Sequence, residues 1–286
     1  MNASPLLIED IVRRALTEDL GHGFDVTSDS VVAAGTVCRA VINTREPGIL
    51  AGLIPALTAF SLTDPGLDLI IYKQDGDALA PGETIAEVEG NARSILTAER
   101  TALNFLAHLS GVATRTAEFV NACLGTDAKI CCTRKTIPGL RALQKAAVRS
   151  GGGTNHRFGL DDAILIKDNH IALAGGVVPA LENARAAAGV LAKIEIEVET
   201  LNQLEDVLTT GIADGIMFDN MTPDDMAKGV RTVKESGKPV FTEASGGVSA
   251  QTVRAIAEAG ADFISIGGLT HSVRALDCGL DIEEEE

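Results

Sequence analysis

The chain has 286 residues, long enough for one large domain or two ordinary ones at roughly 100–200 residues each. Hydrophobic residues at 45% and charged residues at 22% are those of a globular protein and exclude disorder or a fibre. With 24 basic against 40 acidic side chains the formal charge is −16, which excludes nucleic acid and anionic membranes as partners, since both are held by clustered positive charge. Having no Trp and one Tyr, the chain also lacks platforms on which unstacked bases lie. The five cysteines include the adjacent pair Cys131 and Cys132 and never form a C-x-x-C, so neither a disulfide framework nor a zinc site is expected. The first ten residues carry no leader pattern and no apolar run reaches the ~18 residues of a membrane span, so the expected location is the cytoplasm.

Ser4-Pro5 has the chemistry of a helix start, and Leu6, Ile8, Ile11, Val12 and Leu16 continue one apolar stripe. After Gly21-His22-Gly23 come β-rich runs at Cys38–Asn43, Leu67–Tyr72 and Thr84–Glu89, separated by Pro-Gly pairs at 47–48, 65–66 and 81–82. This predicts an α+β domain over 1–112. A long helix from about Ala92 to Leu124 bridges to a second domain over 113–286, whose C-terminal segment is expected to pack back on the first.

From Lys129 onward short β-branched runs alternate with amphipathic stretches, the runs beginning near positions 129, 162, 193, 215, 240 and 262. Such alternation means parallel strands joined by crossover helices. Six strands predict an incomplete, TIM-like six-stranded α/β barrel, with a doubly wound sheet as the alternative. Thr200 to Gln203 reads as a capping box, Thr222-Pro223 places proline at the first helical position, and Ser249 is the expected cap of the helix carrying Val253 and Ile256.

In parallel α/β folds functional groups lie beyond the carboxyl ends of the strands. Here those ends read Thr133-Arg134-Lys135, Lys167-Asp168-Asn169-His170, Glu195 with Glu197 and Glu199, Asp219-Asn220, Glu243, and Gly267-Gly268. One charged strand end is an ordinary solvated boundary, whereas six in register predict a site. Alternation puts Glu195, Glu197 and Glu199 on one face of their strand, where mutual repulsion leaves one or two to reach the mouth and meet a cation or ribose hydroxyls. A solvated edge strand is the bland alternative. Ser245-Gly246-Gly247 and Gly267-Gly268, the latter just before Thr270-His271, offer backbone N–H groups to phosphate, and neither is a P-loop or a G-x-G-x-x-G. Between Arg134 and Lys167 seven basic residues face two acidic ones. Arg141, Lys145 and Arg149, spaced four apart, read as a solvated helix face. The triple-glycine loop that leads into His156-Arg157 allows close approach, and arginine forks carboxylate or phosphate, so the ligand is expected to be a polyanion.

These stretches carry a resemblance. EDLGHGFDVTSD from Glu18, ERTALNFLAHLSG from Glu99, TRKTIPGLRALQKAAVRSGGGTNHRFGLDDAILIKDNHI from Thr133, EVETLNQL from Glu197, FDNMTP from Phe218, EASGG from Glu243 and SIGGLTHS from Ser265 are similar to the quinolinate phosphoribosyltransferases, in order and over nearly the whole chain. The resemblance implies an N-terminal open α/β sandwich and a six-stranded α/β barrel. It implies a homodimer, or a hexamer, in which Arg100 is lent to the partner's site. It implies transfer of phosphoribosyl from phosphoribosyl pyrophosphate to quinolinate, with Mg²⁺ and with loss of CO₂. Carried over by position, Arg100, Thr133, Arg134, Lys135, His156, Arg157 and Lys167 surround quinolinate. Lys135, Lys167, Glu197, Asp219, Ser245, Gly246, Gly247, Ile266, Gly267, Gly268 and His271 surround phosphoribosyl pyrophosphate. Glu197 and Asp219 face the metal indirectly, and Lys135, Lys167, Glu197 and Asp219 carry the catalysis, Lys167 being placed near the C2 carboxylate. Two positions depart from the family pattern: Cys132 stands where relatives often have Asp, and Ala146 where an aromatic is frequent. The rival readings are a paralogue of the same fold, nicotinate-specific or molybdenum-associated, and a barrel that binds a phosphorylated ligand without chemistry.

Overall fold

The computed structural model describes residues 4–283. The chain divides into two compact units, one made of 1–117, 136–152 and 268–286 and the other of 118–135 and 153–267. The segment 136–152 belongs with the first unit, and so does the C-terminal strand.

In the first unit α1 (Pro5–Leu20) starts on proline and buries Ile8, Ile11, Val12 and Leu16, the expected stripe, although the Ser4 hydroxyl makes no capping bond. Helix α2 (Val26–Val31) is capped by Asp25, whose carboxylate accepts from the N–H groups of Thr27 and Ser28. Then come β1 (Val37–Thr44), β2 (Gly48–Ile49), α3 (Leu53–Thr63), β3 (Asp68–Ile71), β4 (Ala78–Leu79), β5 (Thr84–Asn91) and the long helix α4 (Ala92–Ala122). Ala40, Ile42 and Thr44 alternate inward along β1, the period-2 burial of a sheet with one covered face. β1 pairs antiparallel with β5 on one side. Its other side pairs with β12 (Cys278–Ile282), Ala40 facing Ile282, so the C-terminal segment does return to this sheet. Helices α5 (Arg141–Ser150) and α11 (Gly268–His271) complete the unit. Spacing alone misreads α5. Lys145 is buried rather than solvated, because the packing of the helix and not its charge pattern chooses the inward face. Of the acidic stretch Glu283–Glu286 only Glu283 lies within the described residues, its N–H donating to the Arg39 carbonyl.

The second unit holds β6 (Lys129–Cys131), β7 (Ile164–Ile166), α6 (Asp168–Ala174), α7 (Val177–Ala187), β8 (Ile194–Val198), α8 (Leu201–Thr210), β9 (Gly215–Asp219), α9 (Pro223–Glu235), β10 (Phe241–Ser245), α10 (Val253–Glu258) and β11 (Phe263–Ser265). All six strands are parallel, in the order β6-β11-β10-β9-β8-β7. The first strand pairs with the last, which is the ordering of a sheet curled into a barrel, and the break falls between β6 and β7. That decides against the doubly wound alternative. Beside the break, Thr154 forms an isolated parallel bridge to Cys131. Ile194, Ile196 and Val198 are fully buried on the helix-facing side of β8. At roughly 2–5 kcal/mol for truncating such an isoleucine, this outer layer supplies much of the unit's stability.

The capping box at α8 forms as expected, with the Thr200 hydroxyl accepting from the Gln203 N–H and the Gln203 side chain accepting from the Thr200 N–H. The Thr222 cap on α9 forms too. At α10 the cap position is Thr252 rather than Ser249, which builds a turn just ahead of the helix. Glu243 sits in the middle of β10 rather than at its end, so alternation turns it into the barrel.

Candidate active site

At the carboxyl ends of the strands Lys167 occupies the N-cap of α6, and its ammonium is ion-paired with the buried Glu197 carboxylate of β8. Its own N–H donates to His170 Nδ1 at 2.9 Å. Strand β9 ends on Asp219, whose carboxylate accepts from the Asn220 side-chain amide at 2.9 Å. Asn220 has φ +53°, the only positive φ outside glycine among the described residues, and its N–H donates to the Ser245 carbonyl at 2.9 Å. Gly246, at φ +88°, lies against this side chain so closely that a Cβ would collide with the Asn220 amide. Glycine is thus required twice over, by backbone conformation and by space. A cavity of about 200 Å³ is lined here by Asp168, Glu197, Glu199 and Asp219. Such oxygen donors suit a hard divalent cation held through its waters.

The basic side comes from the loops after β6 and before β7. Thr133 Oγ1 accepts from the Lys135 N–H at 3.0 Å, folding the Thr133-Arg134-Lys135 turn on itself. Arg134 Nε is buried and meets no acceptor. Arg157 donates to the Ala163 carbonyl at 2.9 Å, and burial first, then the nearby Arg134 charge, lowers its pKa. Two arginines this close, one with a buried donor unpaired, form a site that an anion would complete. Cys132, at the position where relatives often have Asp, is buried and bonds Asn155 Oδ1 through its thiol at 3.3 Å.

The His156 ring is held on both of its nitrogens. Its Nδ1 accepts from the Arg157 N–H at 2.8 Å, while its Nε2 lies 3.0 Å from Glu195 and 3.5 Å from Glu243, both buried. Both ring nitrogens are therefore engaged within the protein. Burial, and then the Glu195 carboxylate, push the Glu243 carboxyl up to about 7. A cavity of about 310 Å³ borders this cluster, lined also by Phe241, Phe263 and Lys193.

The glutamate strand thus separates into three environments: Glu195 in the interior with His156, Glu197 with Lys167, and exposed Glu199 just past the strand end. Thr133, Arg134, Lys135, His156, Arg157, Lys167, Glu197, Asp219, Ser245, Gly246, Gly247, Ile266 and Gly267 belong to the second unit; Arg100, Gly268 and His271 belong to the first. Arg100 is 63% exposed in its side chain, with Glu99 3.7 Å away. Sequence reasoning missed the engagement of Glu195 and Glu243 with His156, and the role of Asn220. For Glu243 the signal was available, since inward alternation with Ser245 follows once β10 is drawn two residues longer. A larger cavity of about 570 Å³ in the first unit, lined by Ile11, Arg14, Glu18, Asp19, Phe105, His108 and Leu143, has no comparable convergence of strand ends.

Comparison with known proteins places this geometry. The model of the quinolinate phosphoribosyl transferase C-terminal domain matches residues 112–281, and that of the N-terminal domain matches 25–110. The chain belongs to the quinolinate phosphoribosyltransferase family. A Mycobacterium leprae nicotinate-nucleotide pyrophosphorylase [carboxylating] is 46% identical over 96% of this chain and 96% of its own length. A Bacillus subtilis protein described as a probable member of the same activity is 45% identical over 97% and 94%. The structure of the nicotinate-nucleotide pyrophosphorylase from Francisella tularensis superposes with a TM-score of 0.93 at 39% identity, covering 99% of this chain and 98% of that one. In this quinolinate phosphoribosyltransferase the two domain models meet inside α4. No helix among the described residues is long and apolar enough to cross a membrane.

Proposed function

We propose that the chain transfers phosphoribosyl from phosphoribosyl pyrophosphate to quinolinate and releases pyrophosphate and CO₂, giving nicotinate mononucleotide for NAD synthesis. The observation that carries this reading is the pairing of Arg157 with Arg134, whose buried Nε lacks an acceptor, in a protein of net charge −16. Two adjacent guanidinium groups suit the two carboxylates of quinolinate, while a monocarboxylate would satisfy one. Arg100 of the partner subunit completes the pocket in a homodimer, or a hexamer, and the free thiols fit a reducing cytoplasm.

The pyridine nitrogen attacks the ribose C1, and the C1–O bond breaks with its electron pair leaving on pyrophosphate. No protein nucleophile or general base is required. Lys135 neutralises the departing phosphates, and the glycines after Ser245 and Ile266 present N–H groups to the phosphate groups without a Cβ in the way. The metal arrives with phosphoribosyl pyrophosphate as part of that substrate and supplies neutralisation of pyrophosphate charge; Glu197, Asp219 and Asp168 would hold its waters. Glu197 and Asp219 also stabilise positive charge on the ribosyl centre. Once C1 is bonded to the ring nitrogen, the C2 carboxylate departs as CO₂. The electron pair left on C2 is stabilised by the pyridinium and by the Lys167 ammonium until a proton replaces the carboxylate. The Glu197 ion pair aims that ammonium.

Incubation with phosphoribosyl pyrophosphate, Mg²⁺ and either quinolinate or nicotinate tests the reading. Nicotinate mononucleotide and CO₂ from quinolinate are expected. Turnover of nicotinate in place of quinolinate would establish the non-decarboxylating paralogue, and binding without product would leave a phospho-ligand-binding barrel.

A further inference from the structure

His156, Glu195 and Glu243 offer three ligand atoms within 4.8 Å of one another, the spacing of a metal site. The tautomer speaks against a metal. The Arg157 backbone N–H can only donate, so His156 Nδ1 is the bare acceptor, and a neutral ring then carries its proton on Nε2. An Nε2–H cannot ligate, whereas it can donate to the two carboxylates in front of it, at 3.0 Å and 3.5 Å. Freeing that lone pair for a metal would move the proton to Nδ1 and set it against the Arg157 N–H.

We infer that Glu195 and Glu243 are positioning residues for Arg157, acting through His156. The segment that carries Arg157 needs such a device. It is tied to β6 through Thr154, whose N–H donates to Ile130 and whose carbonyl accepts from Cys132, and through the Asn155 side chain, but the regular pairing stops there. Beyond it Arg157 has two anchors: its N–H on His156 Nδ1 and its guanidinium on the Ala163 carbonyl. The His156 ring is oriented in turn by β8 and β10, which are rigid, fully paired strands of the barrel. Strand-borne carboxylates thus fix a ring, the ring fixes a backbone N–H, and the guanidinium is presented beside Arg134. Supporting hydrogen bonds of this kind hold a binding group to within a fraction of an ångström, and their loss costs affinity for whatever that group binds. The idea that this ligand is quinolinate rests on the proposed function.

Two measurements separate the positioning role from that reading. In the protein labelled with ¹⁵N-histidine, His156 should show a protonated Nε2 and an unprotonated Nδ1, and the Arg157 amide should be protected from exchange in the parent and exposed in Glu195→Ala. A protonated Nδ1, or equal protection in both proteins, overturns the inference whatever the substrate is. In steady-state kinetics Glu195→Ala should raise the quinolinate KM on the order of tenfold while leaving that for phosphoribosyl pyrophosphate within about threefold. Glu195→Gln, which still offers an oxygen to Nε2–H, should recover most of the loss. Equal defects in the two variants, or equal rises in both KM values, would show a merely structural role and sink the inference. An inactive parent protein would instead sink the assigned reaction, with the imidazole and exchange data still deciding the positioning role.

Discussion

Arg157 is the residue at which charge, placement and substrate choice meet. Its guanidinium is half-buried beside Arg134, so removing it takes away one of the two adjacent positive groups offered to an anionic substrate. Arg157→Ala is expected to raise the quinolinate KM roughly 100-fold, the scale of a lost buried charge pair, and to leave phosphoribosyl pyrophosphate within a few-fold. Equal losses on both substrates, read in the same kinetic series, would contradict its placement at quinolinate. Glu243 makes a second residue-level prediction. Its folded-state carboxyl titrates at about 7 against an ordinary 4.5, so the folded protein holds a proton that the unfolded chain has released. Stability from this group is complete below about 4.5 and is lost as pH rises towards 7. Glu243→Gln fixes the neutral form, so thermal melts should show the variant gaining on the parent between pH 5 and pH 8. A constant difference across that range would refute the assignment. This side chain also marks the limit of sequence reading: its charge suggested a strand end, while two further residues of β10 bury it.

At the scale of elements, local chemistry was the most readable. The alternation from Lys129 onward located every barrel strand within about two residues, since β-branched runs and caps are written in consecutive residues. Thr200 and Gln203 form the reciprocal bonds their spacing requires, and Thr200→Ala should cost about 1 kcal/mol of stability by chemical denaturation. A change below about 0.3 kcal/mol would show that water replaces the cap. What failed at this scale depended on distant partners. Two-residue strands such as β2 and β4 have no periodicity to read, and Lys145 lies inward although its spacing with Arg141 and Arg149 resembles a solvated stripe. The tautomer of His156 was equally illegible, because it is set by residues 39 and 87 positions away together with its own neighbour's N–H.

For the whole molecule the order of segments matters more than their identity. The C-terminal strand β12 closes the edge of the N-terminal sheet over β1, so a chain ending at Asp277 would bare the unpaired backbone of that edge strand. Such a truncation is predicted to lower the melting temperature and to promote self-association, measurable by calorimetry and light scattering; an unchanged monodisperse protein would show β12 to be dispensable. A net charge of −16 points away from anionic ligands, whereas the unit that carries Arg134, Lys135, Arg157 and Lys167 brings positive charge to the candidate site. Overall charge reports the outer surface, and the site is a local exception to it. The most direct test is the fate of the C2 carboxylate. With quinolinate labelled with ¹³C in that group, phosphoribosyl pyrophosphate and Mg²⁺, one labelled CO₂ is predicted for each unlabelled nicotinate mononucleotide formed. Label retained in the nucleotide, or CO₂ released without it, would contradict the account.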